Sequence, residues 1–163
     1  MISDELRENP VIAALEARDS AALADAVLHA GQLALFVDPE KILDVCRFLK
    51  DEKQYTRLSG ITAVDWFPME PRFEVVYLLH SIERRGERLR LKCRVAGDKP
   101  GIDSVTSIWR GANWYEREVF DLFGITFRGH PDLTRIMMPD QWEGHPLRKD
   151  FPVYGLKYTY KDE

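Results

Sequence analysis

Residues 124–163 constrain this chain more than any other stretch. Pro131, Pro139, Pro146 and Pro152, together with Gly129, Gly144 and Gly155, exclude a long helix or a central strand there. The same stretch carries Phe127, Leu133, Ile136, Trp142, Phe151 and Tyr154, with Met137, Met138, Leu147 and Val153 between them. A disordered tail holds fewer such side chains. An extended, ring-rich segment has to bury its apolar surface, on its own domain or on another protein. The residues alone leave both open: 1–123 read as a compact α/β domain and 124–163 as an extended segment that either packs on that domain or is a partner-docking segment.

A chain of 163 residues is enough for one domain without a disulfide framework. Lys and Arg number 23 against 27 Asp and Glu, a net charge of −4, and residues 1–31 hold six acids and two bases. That balance carries no nucleic-acid footprint and no polybasic membrane anchor. No run reaches the ~20 apolar residues of a membrane-spanning helix, and Met1–Asn9 has no apolar signal-peptide core. The two cysteines, Cys46 and Cys93, point to a cytosolic chain. They are too few for an iron–sulfur cluster, which typically takes four thiolates.

Hydrophobic spacing predicts helix across residues 10–30, with Asp19–Ser20 capping a second piece and Gly31 as its left-handed C-terminal cap. Leu33 to Val37 reads as a short buried strand, and Asp38–Pro39 opens a helix with Ile42, Leu43, Val45, Cys46 and Leu49 on its core face. Three strands follow, Arg57–Phe67, Phe73–Ile82 and Arg88–Ala96, with a turn at Arg85–Gly86–Glu87. In the last strand Leu89, Leu91, Cys93 and Val95 alternate with Arg88, Arg90, Lys92 and Arg94. The basic face reads as the solvated side of an antiparallel strand, with an acidic partner or lipid headgroups as the alternative. Both cysteines fall in core phase and read as inert packing.

Ser104 to Phe123 is helical in pattern, in two pieces broken near Gly111. Tyr115, Val119, Leu122 and Phe123 form its apolar stripe, with Glu116, Arg117, Glu118 and Asp121 mostly opposite. Arg117 and Asp121 have the i,i+4 spacing of a helical ion pair, and Gly124 stops the helix. The fold class is therefore α+β. It has two layers, a small mixed sheet with helices packed on one face, plus an extended C-terminal tail.

Chemistry is sparse. His130 and His145 stand in two Gly-His-Pro triplets near Asp132 and Asp150, and two histidines with a carboxylate are a zinc donor set. No helical His-x-x-x-His spacing supports it, so fixed turns are the favoured reading. Glu116, Glu118 and Asp121 read as a salt-bridge network with Arg110 and Arg117 rather than as acid/base carboxylates. His29 and His80 stand alone. No nucleophile elbow, phosphate loop or dinucleotide fingerprint is present.

The run Glu116-Arg117-Glu118-Val119-Phe120-Asp121-Leu122-Phe123-Gly124-Ile125-Thr126-Phe127 resembles the signature of one family. So do Gly129-His130-Pro131-Asp132-Leu133-Thr134-Arg135-Ile136 and Trp142-Glu143-Gly144-His145-Pro146-Leu147-Arg148-Lys149-Asp150-Phe151-Pro152. Thr62-Ala63-Val64-Asp65-Trp66 and Ala112-Asn113-Trp114-Tyr115 extend the match, which covers roughly residues 30–155. The family is the C subunit, or 30-kDa subunit, of respiratory NADH:quinone oxidoreductase, complex I.

The resemblance implies a structural subunit without redox groups in the peripheral arm, on the cytoplasmic face of the inner (plasma) membrane and reaching the membrane only through the complex. NADH, flavin, iron–sulfur clusters and quinone then belong to partner subunits, and this chain has no cofactor and no active site of its own. It braces the quinone-reducing module, chiefly against the D subunit of complex I, with the B and I subunits nearby. On that reading Phe127, Leu133, Ile136, Trp142, Phe151 and Tyr154 are anchors buried on the partner. Arg135, Arg148 and Lys149 pair with its carboxylates and Asp132 and Asp150 with its basic groups, and His130 and His145, in their fixed turns, belong to the same partner interface. Glu116, Arg117, Glu118, Asp121 and Gly124 brace the helix end from which the tail departs. The alternatives are the equivalent subunit of a membrane-bound hydrogenase or formate hydrogenlyase, and a free-standing metalloenzyme using His130, His145 and a carboxylate.

Overall fold

The alternation of apolar and basic residues in the chain's clearest strand sets the architecture, because one face of that strand has to be covered and the other left open. The structure is a computed structural model that describes residues 2–152; Val153 and Tyr154 lie outside the described residues. Two short helices, α1 (Asp4–Arg7) and α2 (Pro10–Arg18), lead into strands β1 (Leu23–His29) and β2 (Gln32–Val37). A 3-10 turn at Pro39–Lys41 then enters α3 (Ile42–Asp51). A meander of β3 (Arg57–Asp65), β4 (Phe73–Ser81) and β5 (Glu87–Val95) follows. The described residues close with β6 (Gly101–Asp103), α4 (Ala112–Phe123), β7 (Thr126–Arg128) and an irregular run to Pro152.

The main sheet has five strands in the order β1-β2-β5-β4-β3, mixed because β2 runs parallel to β5 while the other pairs are antiparallel. Register separates its two faces. Tyr77 pairs with Leu91 and Val75 with Cys93 on the covered side, while Val76 meets Lys92 and Leu78 meets Arg90 on the other. The buried residues of α2, α3 and α4 join the covered side in one core, among them Ile12, Leu15, Val45, Leu49, Val119 and Phe123. Cys46 and Cys93 are both free and wholly buried there, and burial pushes each thiol's pKa up. They are packing residues, as their phase predicts.

Three expectations need correction. Residues 20–30 are not helix. Asp19 is extended (φ −153) and ends α2, and the next segment pairs with β2 as far as His29 opposite Gln32. Ala30 and Gly31 both have positive φ (49 and 73), which makes them a two-residue hairpin turn whose twist suits the strands. Gly31 is thus a turn residue, and strand pairing outweighs the alanine-rich helical spacing. The helix expected from Ser104 starts only at Ala112, and Gly101–Asp103 forms a short strand paired in parallel with β7. Through that pairing the compact unit runs past residue 123. Ile125 is wholly buried and Phe127 is 2% exposed, both within the core. Phe127 is therefore an anchor of this domain and has no surface left for a partner.

Candidate functional site: a strap over the end of α4

Gly124 ends α4 in the left-handed conformation (φ 72), and its N–H closes on the Phe120 carbonyl. The last carbonyls of a helix have no partner within it. Here residues 135–148 supply the donors. His145 Nδ1 donates to the Asp121 carbonyl (2.9 Å), the Leu147 N–H to Leu122 (3.1 Å), and Arg148 Nε to Phe123 (2.6 Å). Two cations, Arg135 and Arg148, stand at the negative end of the helix dipole. Because a carbonyl only accepts, the His145 Nδ1 carries the hydrogen. Burial, with Arg148 and Arg135 adding to it, holds the imidazole pKa below its ordinary value against the raising effect of the Asp121 bond.

Asp121 is the strap's central peg. One carboxylate oxygen accepts the backbone N–H groups of Ile136, Met137 and Met138 at 2.8–3.0 Å, and the other accepts Arg135. Burial alone would raise this carboxyl's pKa; those bonds more than offset it and hold it below the usual range. Arg117 does not pair with Asp121. It donates instead to the carbonyls of Thr134 and Arg135, again fastening the strap, and lies over the Trp114 ring.

A second fastening lies at the β3–β4 end of the sheet. Arg72 makes a two-pronged contact with Asp65 (2.9 and 2.7 Å) and another with Asp150 (2.9 and 2.6 Å), and the Lys149 N–H donates to Asp65 (2.8 Å). The Arg72 bonds hold both carboxyls below the ordinary range. The Phe73 ring lies against the guanidinium groups of both Arg72 and Arg148. Neither Asp65 nor Arg72 is picked out as a site residue from the sequence. The signal was present: Ile61, Ala63 and Asp65 share the core phase of β3, and a carboxylate in that phase demands a buried partner.

The third node is Glu116. It lies within the buried stripe of α4, contrary to the expected exposed face, and is 0% exposed. It accepts from Ser104 Oγ (2.6 Å) and from the Val105 N–H (2.7 Å), and His130 Nε2 stands 4.0 Å away. Burial pushes its pKa up to about 7 against those two bonds. His130 Nδ1 accepts the Asp132 N–H, so Nε2 carries the hydrogen and donates to the Asn113 carbonyl (3.2 Å).

The charges expected to meet a partner are thus spent within the chain at Arg135, Arg148 and Asp150, because the end of α4 and Arg72 need counter-groups nearby. Asp132 and Lys149 have exposed side chains and bond through their backbone groups, and Glu118 is exposed and joins none of these bonds. Trp142 stacks on Phe151 (centroids 6.4 Å apart), Leu133 packs half-buried against the core, and Ile136 is half-buried. His130 and His145 serve separate carbonyls. Among the described residues no group of three His, Cys, Asp or Glu could hold a metal ion.

Polar bonds fasten this strap, yet apart from the covered His130 ring its residues from Gly129 to Pro152 are half-buried or exposed. Met137 is 62% exposed and Leu147 52%. The geometry defines a class: a small α+β domain that holds an irregular segment, with Met137 and Leu147 exposed on it, in a set shape. Comparison with known proteins gives the family. Residues 35–157 match the sequence pattern of the family described as "Respiratory-chain NADH dehydrogenase, 30 Kd subunit". The C subunit of NADH-quinone oxidoreductase from Geobacter sulfurreducens is 47% identical, over 90% of this chain and 91% of its own. Its counterpart from Roseiflexus castenholzii is 50% identical, over 90% and 85%. A solved structure of the trypsin-resistant fragment (1-134) of Nqo5 superposes with a TM-score of 0.65 at 32% identity, covering 74% of this chain and 97% of that one. The chain belongs to the family of the 30-kDa subunit, the C subunit, of respiratory NADH:quinone oxidoreductase. The readings as a hydrogenase subunit or a free-standing metalloenzyme gain no support from these relatives.

Proposed function

We propose that this chain is a bracing subunit of the peripheral arm, and that residues 129–152 are the surface by which it grips the quinone-reducing module. The supporting observation is the mismatch between how the strap is fastened and what it displays. Its hydrogen bonds fix its shape from below, while Met137, Leu147, Trp142 and Phe151 remain only partly covered or exposed. A pre-shaped segment binds with little ordering cost, and a buried aromatic anchor at such an interface is worth ~2 kcal/mol or more. The D subunit is the proposed main neighbour, with the B and I subunits beside it. The flavin, iron–sulfur clusters, NADH and quinone belong to partners, and the chain supplies rigidity rather than an active site. No described helix is long and apolar enough to cross a membrane. On this reading the chain reaches the cytoplasmic face of the membrane through the complex.

The test is a pair of truncations. Ending the chain after Arg128 keeps Ile125, Phe127 and β7, so the domain should fold but fail to co-purify with the complex in mild detergent. Ending it after Gly124 also removes a core phenylalanine and β7. That should cost a further ~3–5 kcal/mol of stability and leave little folded protein. Full incorporation of the Arg128 truncation would overturn the proposal.

A further inference from the structure

The face of the sheet opposite the helices carries a second, separate feature. Four basic residues of β5 lie on it, in a chain whose net charge is −4. At one end they are neutralised: Glu74 lies 3.0 Å from Lys92 and 3.4 Å from Arg94. At the other end they are not. Arg88 Nε donates to His80 Nε2 (2.8 Å) and Arg90 to Gln32 (2.6 Å). Among the described residues neither guanidinium meets a carboxylate. Because His80 Nε2 accepts, its Nδ1 carries the hydrogen and donates to Ser59 Oγ (2.9 Å), so a neutral imidazole holds Arg88 in place without spending its charge. These residues line a recess of about 160 Å³ whose apolar wall includes Leu78, 37% exposed.

We infer that this recess docks a carboxylate side chain, Asp or Glu, borne on an apolar segment of a neighbouring protein of the complex. Two guanidinium forks held by neutral side chains match the planar, two-pronged geometry of a carboxylate. Leu78 offers the apolar seat beside them. A membrane surface fits poorly. Each basic residue near anionic lipid contributes only ~1 kcal/mol, this end of the face offers Arg57, Arg88 and Arg90, and the chain as a whole is acidic. A nucleic acid would need a longer basic track than these three residues. The recess lies at the His80–Arg88 end of the β4–β5 pair, on the open face, whereas the strap is fastened at the Asp65–Phe73 end from the covered face. The inference rests on the reading that the chain works inside a complex, but it concerns a different surface.

Photo-crosslinking in the assembled complex tests both surfaces. A benzophenone-bearing residue is placed at position 78 in one full-length chain and at position 147 in another, and adducts in the purified complex are mapped by mass spectrometry. The expected result is a position-78 adduct on a peptide of another subunit that contains Asp or Glu. Its yield should fall by about tenfold or more with R88E/R90E, and measurably with the milder Arg90→Gln, while the isolated chain keeps its melting temperature. A position-147 adduct with none at 78 overturns the inference and leaves the strap reading standing. An adduct at 78 on lipid, or on a peptide without an acidic residue, also overturns it. Absence of both adducts overturns both readings.

Discussion

Glu116 is wholly buried, and the groups that bond it, Ser104 and the Val105 N–H, are neutral. Asp121 is equally buried, but three backbone N–H groups and Arg135 surround it. The two acids therefore shift in opposite directions, Glu116 up to about 7 and Asp121 down. Their contributions to stability follow. Below its ordinary value of 4.5, Glu116 is protonated in both folded and unfolded chains; between there and about 7 only the folded chain keeps the proton. Its stabilising contribution is full at the acid end and is lost as pH rises through 7. Asp121 does the reverse, supporting the fold above its unfolded value and losing that support as pH falls. In Glu116→Gln the amide oxygen still accepts the Val105 N–H, and Ser104 can turn its hydrogen to Thr106, 2.8 Å away. The variant should lose ~2 kcal/mol of pH-dependent stability change between pH 5 and 8. Denaturant titrations across that range check this; profiles that stay parallel in the two proteins would contradict it.

At the scale of elements, the helix end and the strap hold each other. Gly124 is the hinge of that arrangement for two reasons. Its φ of 72 disfavours any side chain, and an added Cβ would stand 2.5 Å from both the Arg148 guanidinium and the His145 ring. Gly124→Ala should therefore cost ~1–2 kcal/mol in backbone strain and also push two capping donors off their carbonyls. A lower melting temperature together with faster protease cutting within residues 129–150 is the expected pair of results; an unchanged cutting rate would mean the caps do not hold the strap. This stop was legible from the sequence, as were β2 to β5 and the core phase of both cysteines, because each rests on local periodicity or on a glycine at a helix end. The fastening was not. The capping bonds from Arg135, His145 and Arg148 reach back 14 to 25 residues to single carbonyls, and no spacing rule announces such a bond. The β1 hairpin was hidden for another reason. Ala22, Leu23, Ala26 and Val27 fit a helical stripe, and only the Ala30–Gly31 turn marks the strand pairing.

For the molecule as a whole, the domain and the strap divide two properties that usually travel together. The core from α2 to β7 carries the stability, and the strap's outward residues carry little of it because they bury little surface. Met137 and Leu147 lie 62% and 52% exposed, so removing their apolar groups changes the folded domain's balance by only a few tenths of a kcal/mol. On a partner's surface the same groups become fully covered, at ~25 cal/mol per Å² of apolar area. Met137→Gln with Leu147→Gln should thus leave the isolated chain's melting temperature within about 2 °C of the parent. In the cell the same double variant should compete poorly for a place in the complex, by at least about tenfold against the parent when both are co-expressed. Quantifying the two forms by mass spectrometry, in the purified complex and in total protein, reads this directly. Equal enrichment of both forms would place the grip elsewhere on the chain and leave the strap as a cap for α4 alone.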